Sequence, residues 1–373
     1  MSIKRYIFIF GLTLSFALLI GCAKRGEVAI IGVGAALTGQ ESAIGQDISH
    51  AVELAVEEAN AGGNLKKKIE FIFYDDKSDP KDAVTVAYKL ANNSDVIGVV
   101  GHLVSSCAIP ASEIYNKSNL AMITPSATNP KLTKNSLDNV FRTCATDDVQ
   151  GSAIAKFIAV KLKKKKIAII HDRQAYGQGL AEEVKINSVK LGVKVLAFEG
   201  ITVKDMDYSS ILTKIKPMNP EVVFFAGMYN EGSLICRQMS DLGFKALYMS
   251  GDGCYNPVFV ELSGKKCEGA VVSFVAPPFE EIDTAKEFVK KFRKRFGEIQ
   301  TYAPYAYDAA NLIIEAYRQT GTSDRKTISE TIKKMKNFKG VTGNIEFDES
   351  GDRRNTNFYF YKVRNGKFEW IKE

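Results

Sequence analysis

The sequence predicts an α/β protein of two lobes, each built on its own parallel sheet. Two observations carry this. Short apolar, β-rich runs alternate with amphipathic helical segments, and the alternation restarts near residue 147. A tail of two helical segments and three short strands follows both series. The length of 373 residues agrees, because single hydrophobic cores stop growing near about 250–300 residues.

In chain order, VAIIGVG (28–34) reads as a strand, and 44–60 as a helix with Ile44, Ile48, Ala51, Val52, Ala55, Val56 and Ala59 at helical spacing. IEFIFYD (69–75) is a second strand and 80–92 a second helix. VIGVVG (96–101) leads to a helix from about 107, and LAMIT (120–124) is the fourth strand. The second series runs IAIIH (167–171), helix 179–191, VKVLAF (193–198), a helix near 208–216, VVFFAG (222–227), helix 231–242, ALYMSGD (246–252) and GAVVSFV (269–275). Strand runs this apolar are buried on both faces by helices. The tail holds helices 284–296 and 306–320, then strands at 344–347, 357–363 and 367–371.

The amino terminus reads as an export signal rather than a fold element. Lys4 and Arg5 precede an uncharged run, residues 6–20, that ends in LIGC at Leu19–Cys22. The run falls short of the roughly 20 apolar residues of a spanning helix. A small residue followed by cysteine resembles a bacterial lipobox, which implies acylation of Cys22 and removal of residues 1–21. Ala23 to Glu27 would then form a short tether that holds the body near a membrane.

Composition excludes several classes. Without Lys4 and Arg5 the chain has 48 basic and 43 acidic residues, a mild and dispersed excess. The dense run Lys163–Lys166 closes a helix and enters a strand, so it reads as a solvated face. No aromatics interleave with basic residues, which argues against nucleic acid as a partner. With Cys22 acylated, five cysteines remain, an odd number. Pairing of Cys254 with Cys267, or of Cys107 with Cys144, is left open, and Cys236 reads as core. The sequence has no CxxC or HExxH, and His50, His102 and His171 are far apart, so neither a metal site nor a cofactor is expected. Gly32-x-Gly34 lacks the third glycine of a dinucleotide loop, and neither a P-loop nor a GxSxG elbow occurs. These failures argue against an enzyme.

In open α/β sheets, ligands bind beyond the carboxyl ends of the strands. Those ends read GHLVSSCAIPAS (101–112), PSATNP (125–130), DRQAYGQG (172–179), MYNEG (228–232) and GDGCYN (251–256). Ser105 or Ser106 is placed to cap the helix that follows, with Pro110 in its first turn. The first series thus offers hydroxyls and free amides, and the second offers Tyr176 and Asp252. That set suits a zwitterion, with its carboxylate on the amides and hydroxyls and its ammonium on the acid.

At these residues the chain resembles the branched-chain amino-acid binding proteins of ABC importers, the Leu/Ile/Val-binding class of periplasmic receptors. The matching segments include ALTGQESAIGQD (36–47), FYDDKSDPKDAV (73–84), MITPSATNP (122–130), FRTCATDDVQG (141–151), HDRQAYGQGLA (171–181), EGSLICRQ (231–238) and FDESGD (347–352), in order through nearly all of the mature chain. The resemblance implies two Rossmann-like lobes joined by crossover segments, the type I periplasmic binding protein fold. Residues 22–146 with 277–354 would form the first lobe, and 147–276 with 355–373 the second. It also implies roles. Ser105 would bond the ligand carboxylate, Thr128 the carboxylate or the amino group, and Ser126 would contribute backbone groups. Asp252 would pair with the α-ammonium, and Tyr176 would close over the ligand. Ile44 and Leu103 would line the side-chain pocket, with Met228 beside them.

The implied partners are an amino acid, the permease and ATPase subunits of an importer, and a membrane reached through a lipid anchor, with the protein itself a monomer. Each residue also has a plain structural reading: Ser105 and Thr128 as helix caps, Tyr176 as a surface aromatic, Ile44 as core, Asp252 as a turn residue. Three departures bear on ligand choice. The acid is Asp252 where well-known members have Glu, Met228 stands where they have Tyr, and Ile44 replaces an aromatic. Ser78 and Val104 occupy the positions of the family's usual first-lobe disulfide, which is therefore absent. A receptor for amides or urea, or a sensor of the same fold, is the alternative reading.

Overall fold

The computed structural model describes residues 28–134 and 137–372; the leader and Cys22 lie outside the described residues. In the first sheet, β1 (Ala29–Ala35), β2 (Ile69–Asp75), β3 (Val96–Gly101), β4 (Ala121–Thr124) and β5 (Val140–Arg142) are parallel in the order β2-β1-β3-β4-β5. In the second, β6 (Lys166–His171), β7 (Lys194–Gly200), β8 (Val222–Ala226), β9 (Leu247–Ser250) and β10 (Val271–Phe274) are parallel. A small hairpin of β11 (Phe338–Gly340) and β12 (Gly343–Ile345) stands apart. The antiparallel pair β13 (Tyr359–Arg364) and β14 (Lys367–Trp370) extends the second sheet beyond β10.

The helices are α1 (Ser42–Ala61), α2 (Pro80–Asn92), α3 (Ser105–Lys117), the single turn α4 (Lys131–Lys134), α5 (Asp147–Lys156), α6 (Ala175–Lys190), α7 (Ser209–Ile215), α8 (Tyr229–Asp241), α9 (Pro257–Ser263), α10 (Lys286–Phe296), α11 (Ala303–Thr320) and α12 (Arg325–Lys334). They explain why the strand runs are apolar throughout. Successive strand side chains point to opposite faces. Ile31, Val33, Ile97 and Ile123 pack under α1 and α11, while Ile30, Val99 and Met122 pack against α2 and α3. In the second sheet Ile167, Ile169, Phe224 and Met249 meet α5 and α6. Ala168, Ile170, Val223 and Phe225 face α7, α8 and α9.

The tail serves both sheets. After β10 the chain adds α11, against α1 and β3, and α12, against β3 and β4, and then returns with β13 and β14. The periodicity reading did not mark β5, α4, α9, β11 or α12, and α5 was expected only as the unbounded helix that the Lys163–Lys166 run closes. β5 has only three residues. α5 buries Gly151 and Ala155 beside Ile154, so its apolar stripe is faint. α12 is announced by a cap rather than a stripe, since the Asp324 carboxylate accepts the Thr327 N–H at 2.8 Å. The five cysteines from Cys107 to Cys267 are free and buried, so neither pairing left open by the sequence forms. Burial pushes the Cys144 and Cys254 thiols up to about 12, which keeps them protonated.

One acid ties the first series to the tail. Asp47, on α1, accepts the N–H of Thr301 at 3.1 Å and of Ala303 at 3.2 Å, so it fixes the amino end of α11. Burial pushes its carboxyl up to about 7, with the backbone N–H groups at 300–303 offsetting part of the rise. A folded value above the unfolded one means that the folded chain holds this proton between about pH 4 and pH 7. The stability it contributes is full below about pH 4 and is lost as pH rises through about 7. In urea titrations, wild type should lose on the order of 1–3 kcal/mol relative to Asp47→Asn between about pH 5 and pH 8. Parallel stability curves for the two chains would remove Asp47 from this role.

Candidate functional site

The carboxyl ends of both sheets point at each other, and the loops leaving them enclose a cavity of about 20 Å³. Leu103, Val104, Ser105, Ser126 and Tyr302 line it from the first sheet's side, and Tyr176, Met228, Asp252 and Gly253 from the second's. Larger surface grooves exist, including one of about 980 Å³ along Asp148–Lys163, but they are open and present no facing set of hydroxyls and acid.

The turn after β3 begins at Gly101, whose φ of +138° suits glycine and whose absent side chain would sit 2.1 Å from the Gly34 carbonyl oxygen. His102 is fully buried between Asp76, 2.5 Å from Nδ1, and the Tyr115 hydroxyl, 3.0 Å from Nε2. Its carbonyl accepts the Thr124 hydroxyl at 2.9 Å, and the Leu103 carbonyl accepts that of Ser126 at 2.7 Å. The turns after β3 and β4 are thus clipped together. Ser105 is the first residue of α3 and not its cap; Val104 holds that position. Pro110 lies inside α3, beyond its first turn. The Ser105 hydroxyl accepts the Asn129 N–H at 3.3 Å, and among the described residues its own proton goes to no protein acceptor.

Arg142, at the end of β5, holds the 125–133 loop from beneath. Its guanidinium is fully buried and donates to the Asp352 carboxylate (2.5 Å), the carbonyls of Ala127 (2.8 Å) and Asn129 (3.1 Å), and the Thr133 hydroxyl (2.8 Å). Thr128 is buried in this loop, and its hydroxyl lacks a well-formed hydrogen bond, as do both carboxyl oxygens of Asp147. Burial pushes the Asp147 carboxyl well up; the Thr128 hydroxyl offsets part of that, and the charge of Asp252 adds to it.

From the opposite side, Asp252 is 3% exposed and receives two phenols. Tyr176, in the first turn of α6, donates to Oδ1 at 2.7 Å, and Tyr302, just before α11, donates to Oδ2. Burial pushes both phenols well up, so they remain donors. The Gly253 N–H donates to the Tyr176 oxygen at 3.0 Å. Further bonds cross between the lobes. Asn129 Nδ2 donates to the Ala175 carbonyl at 2.5 Å, and the Tyr229 hydroxyl donates to that of Gln40. Gly179 permits the first of these, since a side chain there would stand 2.4 Å from Asn129 Nδ2.

Of the sequence-derived candidates, Leu103, Ser105, Ser126, Tyr176, Met228 and Asp252 line the cavity together. Thr128 lies behind it beside Asp147, and Ile44 is packed in the core at the amino end of α1. Tyr229, next to Met228 in the chain, donates instead to the Gln40 carbonyl. Sequence reasoning missed Tyr302. The strand-end rule searches carboxyl ends, whereas Tyr302 precedes a helix in the tail; an aromatic before that helix was its only signal.

Arg142→Ala would take the cation from Asp352, leaving it the Thr133 hydroxyl, and would strip a charged donor from two loop carbonyls, a loss of about 3–5 kcal/mol. Chemical denaturation should show that loss. A loss under about 1 kcal/mol would mean that the loop is held by other contacts.

The periplasmic binding protein family matches residues 30–367. A Leu/Ile/Val-binding protein homolog 2 of Brucella abortus is 39% identical over 339 residues, 91% of each chain. Among solved structures, the leucine-binding protein LivK of Thermotoga maritima superposes with a TM-score of 0.86 at 28% identity, covering 92% of this chain and 98% of that one. The branched-chain amino-acid transporter substrate-binding protein LivJ of Streptococcus pneumoniae, in complex with isoleucine, gives a TM-score of 0.85 at 29% identity, covering 93% and 100%. With two parallel-sheet lobes facing each other across a cavity of hydroxyls, phenols and one acid, the chain belongs to the periplasmic binding protein family, in the branch of the Leu/Ile/Val-binding proteins.

Proposed function

We propose that this protein is an extracytoplasmic receptor that takes an apolar amino acid, of branched-chain type, into its interlobe cleft and yields it to an ABC importer. The observation that carries the reading is Asp252, a buried carboxylate facing the hydroxyls of Ser105 and Ser126 across the cleft. An α-ammonium on Asp252 and an α-carboxylate on Ser105 and Ser126 would satisfy both ends of a zwitterion. Leu103, Val104 and Met228 supply apolar wall, which fits an aliphatic side chain. The names of the relatives agree with that ligand class.

A cavity of about 20 Å³ has room for little more than one water, so an amino acid enters only as the lobes separate. Opening breaks Asn129–Ala175, Tyr229–Gln40 and Tyr302–Asp252 while leaving Tyr176–Asp252 within its lobe. The hinge would be the three crossovers, near 146, 276 and 355, between a lobe of residues 22–146 with 277–354 and one of 147–276 with 355–373. Closure then removes charge from water, which strengthens each hydrogen bond. The protein works by binding and release, without turnover, as a monomer. Cys22 carries the lipid that keeps it beside its permease.

Asp252→Ala should weaken calorimetric binding of leucine, isoleucine or valine by at least about 100-fold while the melting curve stays cooperative. Unchanged affinity would overturn the site. Labelling of the exported protein with a radioactive fatty acid should be lost in Cys22→Ser, and persistent labelling would refute the anchor.

A further inference from the structure

The end of the second lobe farthest from the cleft has an unusual surface. In a parallel sheet, strand amino ends share a pole with the carboxyl ends of the covering helices. At this pole the turn after α5 enters β6, and the carboxyl end of α6 enters β7. The two connections touch, because the Lys194 N–H donates to the Lys165 carbonyl at 2.8 Å. Lys161, Lys163, Lys165, Lys166, Lys190 and Lys194 are all exposed there. Among the described residues none of these six has an acid partner, and the carboxylate in their midst, Glu221, pairs with Lys164 at 3.6 Å. Lys166 and Lys194 are register partners on neighbouring strands, so like charges stand side by side.

Four exposed aliphatic side chains flank these lysines along the two helix ends: Val160, next to Lys161, is 67% exposed, and Ile186, Val189 and Leu191, around Lys190, are 47%, 59% and 39% exposed. Cations at helix ends account for Lys161 and Lys190. They do not account for the strand lysines or for the aliphatic side chains.

We propose that this pole is a docking surface for an anionic phospholipid membrane. Unpaired lysines call for an external anionic surface, and long lysine stems snorkel around aliphatic groups that enter the acyl boundary. A folded acidic partner would be met by a hydrogen-bonded site, whereas these lysines are spread over two helix ends and two strand starts, with Val160, Lys161 and Lys163 on the rim of the open groove of about 980 Å³. The placement has a consequence. The described chain begins at Val28, just before β1, at the strand amino ends of the first lobe. Both sheets aim their carboxyl ends at the cleft, so the two amino-end poles lie at opposite ends of the molecule. A tether at one pole and lysines at the other lay the long axis along the bilayer. This orientation rests on the anchored reading above; the lysine surface does not.

The test uses the full chain with Cys22→Ser, which carries no acyl group, sedimented with vesicles of phosphatidylcholine alone or with one-third phosphatidylglycerol. The apolar leader is common to all variants, so the readout is the difference between vesicle types. Partition should be at least about tenfold stronger on anionic vesicles at low salt and should equalise at high salt. The variant Lys161→Gln/Lys163→Gln/Lys190→Gln/Lys194→Gln should lose the preference. Ile186→Ser/Val189→Ser should weaken binding yet keep its salt dependence. Equal partition of the parent on both vesicles, or an unchanged preference in the lysine variant, overturns the proposal, as does retention on immobilised heparin without any vesicle preference. Calorimetry with amino acids on the same chains reads the receptor function separately, so the two proposals fail independently.

Discussion

A carboxylate buried between two lobes is the arrangement on which the rest of this structure turns. Ionised, Asp252 would be costly in an apolar cleft without donors. Its donors come from both halves of the molecule: Tyr176 from its own lobe and Tyr302 from the segment that completes the other. The acid is therefore part of the contact between lobes as well as the proposed ligand partner. In that proposal an incoming ammonium would take up the role that Tyr302 plays when the lobes meet on their own, and closure and recognition would use the same two oxygens.

The groups around Asp252 are positioned by buried polar contacts rather than by packing alone. Arg142 shapes the loop that carries Ser126 and Thr128, His102 anchors the turn that carries Leu103 and Ser105, and Asp47 fixes the backbone on either side of Tyr302. These contacts join segments far apart in sequence, so two strand-end turns and one helix end hold a common geometry. The Thr128 hydroxyl and the Asp147 carboxyl, which lack well-formed hydrogen bonds and interact chiefly with each other, mark where that arrangement stays incompletely satisfied, behind the cavity. Buried polar groups without partners are costly, and they concentrate at functional sites.

Charge is divided along the molecule. The cleft holds one acid among hydroxyls and phenols, and the far pole of the second lobe holds lysines with few counter-charges. The run Lys163–Lys166 looked in sequence like an ordinary solvated face. Only its juxtaposition with Lys190, Lys194 and four exposed aliphatic side chains makes it a surface in search of a partner.

Local pattern was enough to place most strands, because a strand buried on both faces has to be apolar throughout, and enough to mark the strand ends where Ser105, Ser126, Tyr176 and Asp252 lie. It failed where the signal is short or small-sided, as in β5 and α5, or where it resides in a single cap, as at Asp324. Tertiary structure alone decided that Tyr302 reaches Asp252, that Ile44 belongs to the core and Thr128 to the layer behind the cavity, and that none of the five described cysteines pairs. The reason is physical. Periodicity reports which face of an element is buried, whereas a site between lobes depends on which ends meet, and that is set by crossovers whose sequence carries no periodic signal.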